Sequence, residues 1–257
     1  MKNIIVPLCV LFLFAGLFGA DSIHSKFEDY IIIKYLLNER EFKRAESLMD
    51  SFLKKHPEDP FILTEKAYLL NDIKNDKDEA IKLLEKSIEI YPEYYYSNYL
   101  HALALFSKYS GKGKDRELAG KAVASLKKSL ADNKGYYNSY FLLGVILSEI
   151  GEFEESNKYF ELSNRLNETP EAYFNMSTNY HELEDVDGEI GTYKKILEFS
   201  PENTHILNIL SRLYIQKKDF KNAAVYLERL TRLKPEDKNL SFKYLYSLFA
   251  AGEGEKF

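Results

Sequence analysis

The chain has 257 residues, 45% hydrophobic and 29% charged, the balance of a folded, soluble protein and not of a disordered segment. Its formal net charge is −5, with 35 Lys and Arg interleaved among 40 Asp and Glu, so no basic stripe marks a nucleic-acid footprint. It carries 20 Tyr and 17 Phe but no Trp, and its few Gly and Pro sit mainly at turns, which favours helices over a many-turned β protein.

The first 20 residues stand apart. Lys2 is followed by uncharged residues from Asn3 to Ala20, with an apolar heart from Ile4 to Phe18. A positive start, an apolar run and small residues Gly19 and Ala20 predict an export signal over residues 1–20, leaving 21–257 as the mature protein, periplasmic or secreted. Phe18 puts bulk where a small residue is preferred for a cut after Ala20, so a cut after Gly19 stays open. The rival reading retains the segment as an inner-membrane anchor, for which it is short against the roughly 20 residues of a span. Cys9, the only cysteine, follows Leu8 and not the small residue of a lipoprotein signal; once processed, the chain has no disulfide, thiol nucleophile or thiolate ligand.

Six units of two amphipathic helices follow, over residues 26–59, 60–94, 95–136, 137–169, 170–203 and 204–237. Small residues of the second helices set the period: Ala45 to Ala80 is 35, Ala122 to Ser156 is 34, and Ser156 to Ala223 is 67, two units with Glu189 between them. Prolines agree, Pro57 to Pro92 being 35 and Pro201 to Pro235 being 34. The third unit is lengthened at Ser110 to Asp115, and Asp132, Asn133 and Lys134 replace its closing proline. In the fourth, Tyr140, Leu143, Gly144 and Leu147 make the inward stripe of one helix, Gly151 ends it, and Phe153, Ser156, Phe160 and Ser163 make the next. In the fifth, Glu189 takes the small-residue place between Gly188 and Gly191, so the contact there is expected to be looser or shifted by one residue. The sixth repeats the pattern with Leu207, Leu210, Ser211 and Tyr214, then Phe220, Ala223, Leu227 and Leu230. A last helix over 239–251 offers Leu240, Tyr244, Leu245 and Leu248 as a cap, with Phe242 and Phe249 left over for capping or docking.

A 34-residue helix-turn-helix period with a small residue in each helix, an aromatic opening the second and a proline after it resembles the tetratricopeptide repeat. The resemblance implies an all-α, right-handed superhelical solenoid. It also implies a non-enzymatic scaffold that binds a peptide or protein partner in a concave groove lined by the first helices, here helping to assemble a cell-envelope complex. Carried over unit by unit, the groove holds Tyr30, Lys34 and Leu37, then Thr64, Tyr68 and Asn71, then Tyr99, Leu103 and Phe106. It continues with Phe141, Val145 and Ser148, Phe174, Thr178 and His181, and Asn208, Arg212 and Ile215. The register of the second and third units is open by one residue. The lining is aromatic in its middle and basic only at Lys34 and Arg212. It lacks the clamp of Lys, Arg and Asn with which family members hold a terminal carboxylate, and so suits a peptide with apolar side chains. In the bland reading several of these rings fill the interior and touch no ligand.

Chemistry finds little footing. No HExxH, phosphate loop or serine elbow is present, and no catalytic residue, cofactor or metal is expected. The enzyme rival requires His181, His205, Glu182 and Arg212 to converge. The carboxylates read as solvated outer faces, and the run Tyr91, Tyr94, Tyr95, Tyr96 and Tyr99 as packing at a seam, nucleic acid being excluded as a partner. The sequence leaves the oligomeric state open.

Overall fold

The computed structural model describes residues 20–111 and 115–252, with side chains from Phe27 onward. The expected export signal up to residue 19, and residues 112–114 of the lengthened turn, lie outside them. Every regular element among the described residues is a helix, so the fold is all-α.

The chain divides into two compact units, residues 1–132 and 133–257. The first holds α1 (Ala20–Asn38), α2 (Phe42–Lys55), α3 (Pro60–Tyr68), α4 (Lys77–Ile90), α5 (Tyr95–Gly111) and α6 (Arg116–Asp132). The second holds α7 (Tyr137–Glu149), α8 (Phe153–Leu166), α9 (Pro170–Glu182), α10 (Val186–Phe199), α11 (Thr204–Gln216), α12 (Phe220–Leu233) and α13 (Lys238–Ala250). Helices pack as hairpins, α1 on α2 through α11 on α12, and within each unit consecutive hairpins stack.

The hairpins begin and turn by the same local chemistry. Asp59, Asp76, Thr169, Asp185, Asn203, Asp219 and Asp237 each cap a helix by accepting from a backbone N–H of its first turn, with Pro60 and Pro170 at the start of α3 and α9. The turn inside the hairpin places one residue in the left-handed region: Arg40, Asn75, Gly151, Glu184 and Lys218, with φ of 60°, 57°, 89°, 55° and 58°. The N–H after it closes the helix end, as in Glu152 N to Leu147 O at 2.9 Å and Asp219 N to Tyr214 O at 2.9 Å.

The second hairpin differs by one residue. After Tyr68 the first helix relaxes into a π turn over Leu69–Ile73, and Asp76 N reaches back to Leu70 O, one residue further than in the other turns. This turn absorbs the extra residue that makes Ala45 to Ala80 and Pro57 to Pro92 35 residues long instead of 34.

Small side chains decide how closely the helices of a hairpin approach. Ala45, Ala80, Ala122, Ser156 and Ala223 are all fully buried. A Cβ built on Gly144 would lie 2.8 Å from the ring of Phe160, itself fully buried, so α7 and α8 touch through backbone and ring. In the fifth hairpin the contact is shifted by one residue. A Cβ on Gly188 would meet the Tyr180 ring at 2.4 Å, while Glu189 turns inward beside it, 7% exposed. The side chain of Asn179 ties successive hairpins, donating to Ser156 Oγ and Asn157 Oδ1 at 2.8 Å and accepting from Ser148 Oγ at 2.6 Å. Fully hydrogen-bonded, this amide specifies register without an orphaned buried group.

In α13 Leu240 and Leu248 are buried as expected of a cap, but Leu245 is 52% exposed. Ser247 takes the inward place instead, which turns Leu245 to the open side.

These contacts set opposite signs for two glycine replacements in one unit. Gly144→Ala forces its methyl against Phe160 and is expected to cost about 1–3 kcal/mol. Gly191→Ala, where a Cβ meets nothing within 4 Å, is expected to stabilise by about 0.5–1 kcal/mol by restricting the unfolded chain and raising helix propensity. Urea unfolding of both variants checks the pair; equal effects would show that Phe160 yields freely.

Candidate functional site

In the first unit the residues assigned to the groove are tied to one another. Lys34 Nζ bonds Glu65 Oε1 at 2.9 Å and lies 5.6 Å from the centre of the Tyr96 ring, and the Tyr30 hydroxyl donates to the same carboxylate oxygen at 3.4 Å. Glu65 is 1% exposed, and its Oε2 has no hydrogen-bond partner. The expectation that carboxylates occupy outer faces is therefore corrected at Glu65 and at Glu189. Burial, and then the Glu65 charge, push the Tyr30 hydroxyl up to about 12. Tyr94 is raised well beyond the usual tyrosine range by burial first and by Tyr30 and Glu65 next.

Around this centre the tyrosine run packs ring on ring, Phe61 lying 4.9 Å from Tyr94 edge to face and Tyr96 stacking on Tyr99 at 6.3 Å. Tyr68 and Tyr99 are half-buried, Tyr68 against the core of α1, α2 and α3. Leu37 and Thr64 do not line a groove. Leu37 is 8% exposed in that core, and Thr64 is fully buried, its hydroxyl within 2.9 Å of Ser87 Oγ and 2.6 Å of Ser97 Oγ. Three small hydroxyl residues draw α3, α4 and α5 together at that point and leave no opening.

In the second unit Phe141 is half-buried and meets Phe160 edge to face at 5.5 Å, so it belongs partly to the core, whereas Phe174 is 52% exposed. Asn208 is half-buried on α11. His181 and Arg212 open onto a cleft of about 1110 Å³ between α9, α11 and α13, floored by Ser177, Ser211 and Tyr193. Ile215 and Tyr246 supply apolar walls, and Lys243, which sequence reasoning did not single out, adds a second cation. Arg212 and Lys243 form no ion pair among the described residues, so both cations are available at the wall. Opposite them His181 Nδ1 lies 3.5 Å from the carboxylate of buried Glu189. The odd Glu189 in the small-residue pattern was the sequence signal for this feature.

His205 and Glu182 are exposed and do not line the cleft, so the constellation required for catalysis is not assembled. No group of three or more His, Cys, Asp and Glu among the described residues could hold a metal, and no described helix is long and apolar enough to cross a membrane. A second hollow of about 560 Å³ over Ser200, Pro201, Glu202 and Asn203 is a turn surface whose Asn203 side chain already caps α11. The arrangement at α9, α11 and α13 is chemically a binding surface, combining a floor of two serines and a tyrosine, apolar walls, the cations Arg212 and Lys243, and the carboxylates of Glu184 and Glu189.

Stacked helical hairpins closed on small residues, with a cleft on successive first helices, define a helical repeat protein that offers a binding face. The chain belongs to the tetratricopeptide repeat family, whose profile matches residues 62–94, 137–170 and 204–237. Repeats of this fold support protein–protein interaction in general. The chain is 26% identical over 160 residues to the CTR9 homolog of Arabidopsis thaliana, a match covering 60% of this chain. It spans only 14% of the length of the curated relatives it matches. Among solved structures it is similar to pilF of Pseudomonas aeruginosa, with a TM-score of 0.63 at 16% identity over 86% of this chain and 95% of that one. It is also similar to YrrB, described as a TPR protein with an unusual peptide-binding site, with a TM-score of 0.57 at 18% identity over 76% and 95% of the two chains. At these identities the structural likeness establishes the fold alone.

One histidine titrates in an instructive way. His101, on α5, holds Ser125 Oγ at 2.9 Å through Nδ1, while its buried Nε2 has no hydrogen-bond partner. Burial, followed by the charges of Lys128 and Lys121, lowers its pKa to about 4; Glu85 at 3.9 Å is 62% exposed and too well solvated to offset this. The unfolded chain therefore binds a proton at about 6.5 that the folded chain refuses until about 4, so stability falls as pH drops through that window. The expected loss between pH 7 and pH 4 is about 2–3 kcal/mol from this residue. Urea unfolding of wild type and His101→Gln at both pH values isolates it; an equal pH dependence in the two would remove His101 as the cause.

Proposed function

We propose that this chain is a non-enzymatic scaffold whose cleft between α9, α11 and α13 binds an extended or helical segment of a protein partner, and that it works outside the cytoplasm in assembling a cell-envelope complex. The observation that carries the reading is the cleft itself. Its volume is about 1110 Å³, and its lining joins Tyr193, Ile215 and Tyr246 to the unpaired Arg212 and Lys243. Such a surface suits a segment whose apolar side chains enter the walls while a polar or acidic group meets the cations. The peptide-binding description given to YrrB supports the same use of this fold. The envelope assignment rests on Lys2 and the apolar run from Ile4 to Phe18.

Two outcomes are expected. The double variant Arg212→Ala, Tyr246→Ala should weaken binding to a partner recovered from the native envelope by about 2 kcal/mol or more, with the melting temperature nearly unchanged. Isothermal titration alongside thermal melting decides it, and full-strength binding by the variant would move the partner to another surface. For export, N-terminal sequencing of the chain made with its leader in a bacterium should begin at residue 20 or 21. Intact Met1 in the membrane fraction would replace the exported form with the anchored one.

A further inference from the structure

The first and the last of the described helices each expose an apolar stripe, and the two stripes differ in the charges beside them. On α1 Ile31, Ile32 and Tyr35 are 49%, 46% and 59% exposed, with Phe27 one turn earlier at 37%. On α13 Phe242, Leu245 and Phe249 are 68%, 52% and 77% exposed. Each set follows the three- and four-residue spacing of a single helix face, and each runs about 10–12 Å along its axis at 1.5 Å per residue. Isolated exposed apolar residues need no explanation, but a contiguous row on a helix is a surface that gains by being covered.

Charge selects what covers them. Beside the α1 stripe stand Asp29 and Glu39, neither in an ion pair among the described residues; from Phe27 onward, where side chains are described, the helix's one cation, Lys34, is held by Glu65. Beside the α13 stripe stand Lys238 and Lys243, likewise without an ion pair, and the helix contains no acidic residue. Pairing α13 with a second α13 would bring lysines together, and pairing α1 with a second α1 would bring carboxylates together. Only the unlike pairing satisfies both rows.

We propose that α13 of one copy packs on α1 of a second copy, so that the chain associates head to tail. Such a contact is heterologous, and copies added through it build either open chains or closed rings, so mass rises above that of one copy as concentration grows. Because charges flank the apolar rows, association weakens as salt is raised. Tyr246, 53% exposed between Phe242 and Phe249, and Lys243 border both this row and the α9, α11 and α13 cleft; self-association is read with no peptide present, so its failure would not bear on peptide binding there.

Sedimentation of the full chain with two blocked variants tests the proposal. Phe242→Glu with Phe249→Glu blocks the α13 face, and Ile31→Lys with Tyr35→Lys blocks the α1 face. Both pairs are solvent-exposed, and circular dichroism verifies that each variant folds. Wild type is expected to show mass increasing with concentration, each variant alone to sediment as a monomer, and an equimolar mixture to form a one-to-one dimer through the intact α13 of one and the intact α1 of the other. A second pair gives the charge readout: Lys238→Glu and Glu39→Lys should each weaken wild-type association at least several-fold, and their mixture should recover it. A dimer persisting in the α1-blocked variant alone would mean that α13 pairs with itself, and one persisting in the α13-blocked variant would mean that α1 does. Either result overturns the proposal, as does a wild type that stays monomeric at all concentrations.

Discussion

The fold depends on how near two helices can come when one of them presents almost no side chain. At Gly144 the Phe160 ring rests where a methyl group would be, and at Gly188 the Tyr180 ring does the same. Elsewhere buried Ala45, Ala80, Ala122 and Ala223 and the Ser156 hydroxyl, which donates to Gly144 O at 2.7 Å, fill the role. A larger residue at any of these positions would push the hairpin open and expose the ring or leucines beneath. Each buried Leu or Phe contributes about 1.5–3 kcal/mol, so one opened contact threatens a substantial part of a domain's margin.

Given that contact, the rest follows from local rules. A capping Asp, Asn or Thr starts seven of the described helices, and a left-handed residue reverses the chain inside five of the hairpins, so hairpins of nearly constant length are produced by residues that need not touch the core. Four of the five described reversals use a residue other than glycine, each at a cost of about 1 kcal/mol or more relative to an unstrained turn. Stacking must supply that energy, which makes the individual hairpin dependent on its neighbours.

The period and the all-α class were legible because they rest on residue type at fixed spacing, which sequence displays directly. Glu189 was legible as an anomaly, since a carboxylate in a row of Ala and Ser breaks the pattern visibly. The π turn after Tyr68 was not: one extra residue can be absorbed in a helix or in a loop, and only hydrogen-bond geometry tells which. Glu65 was hidden for another reason. Its neighbours Lys66 and Ala67 look like any helix surface next to any helix contact, while the partners that justify its burial, Tyr30 and Lys34, lie a whole hairpin away. Thr64 failed as a groove residue because Ser87 of its own hairpin and Ser97 of the next close on its hydroxyl, and Leu37 because it joins the core of α1, α2 and α3, contacts that lie far off in sequence.

The two units consequently differ in what their first helices can offer a partner. In the first, Lys34 is engaged by a carboxylate that is 1% exposed, and diverting it to a ligand would leave that charge without its cation. Even with Lys34 38% exposed, such a loss is on the order of 1–3 kcal/mol, comparable to everything a single interface anchor returns. In the second, Arg212 and Lys243 have no ion pair among the described residues to give up, and the apolar walls beside them are open. A ligand therefore meets the same family of helix faces twice, but gains net free energy more readily where the chain has left its charges uncommitted.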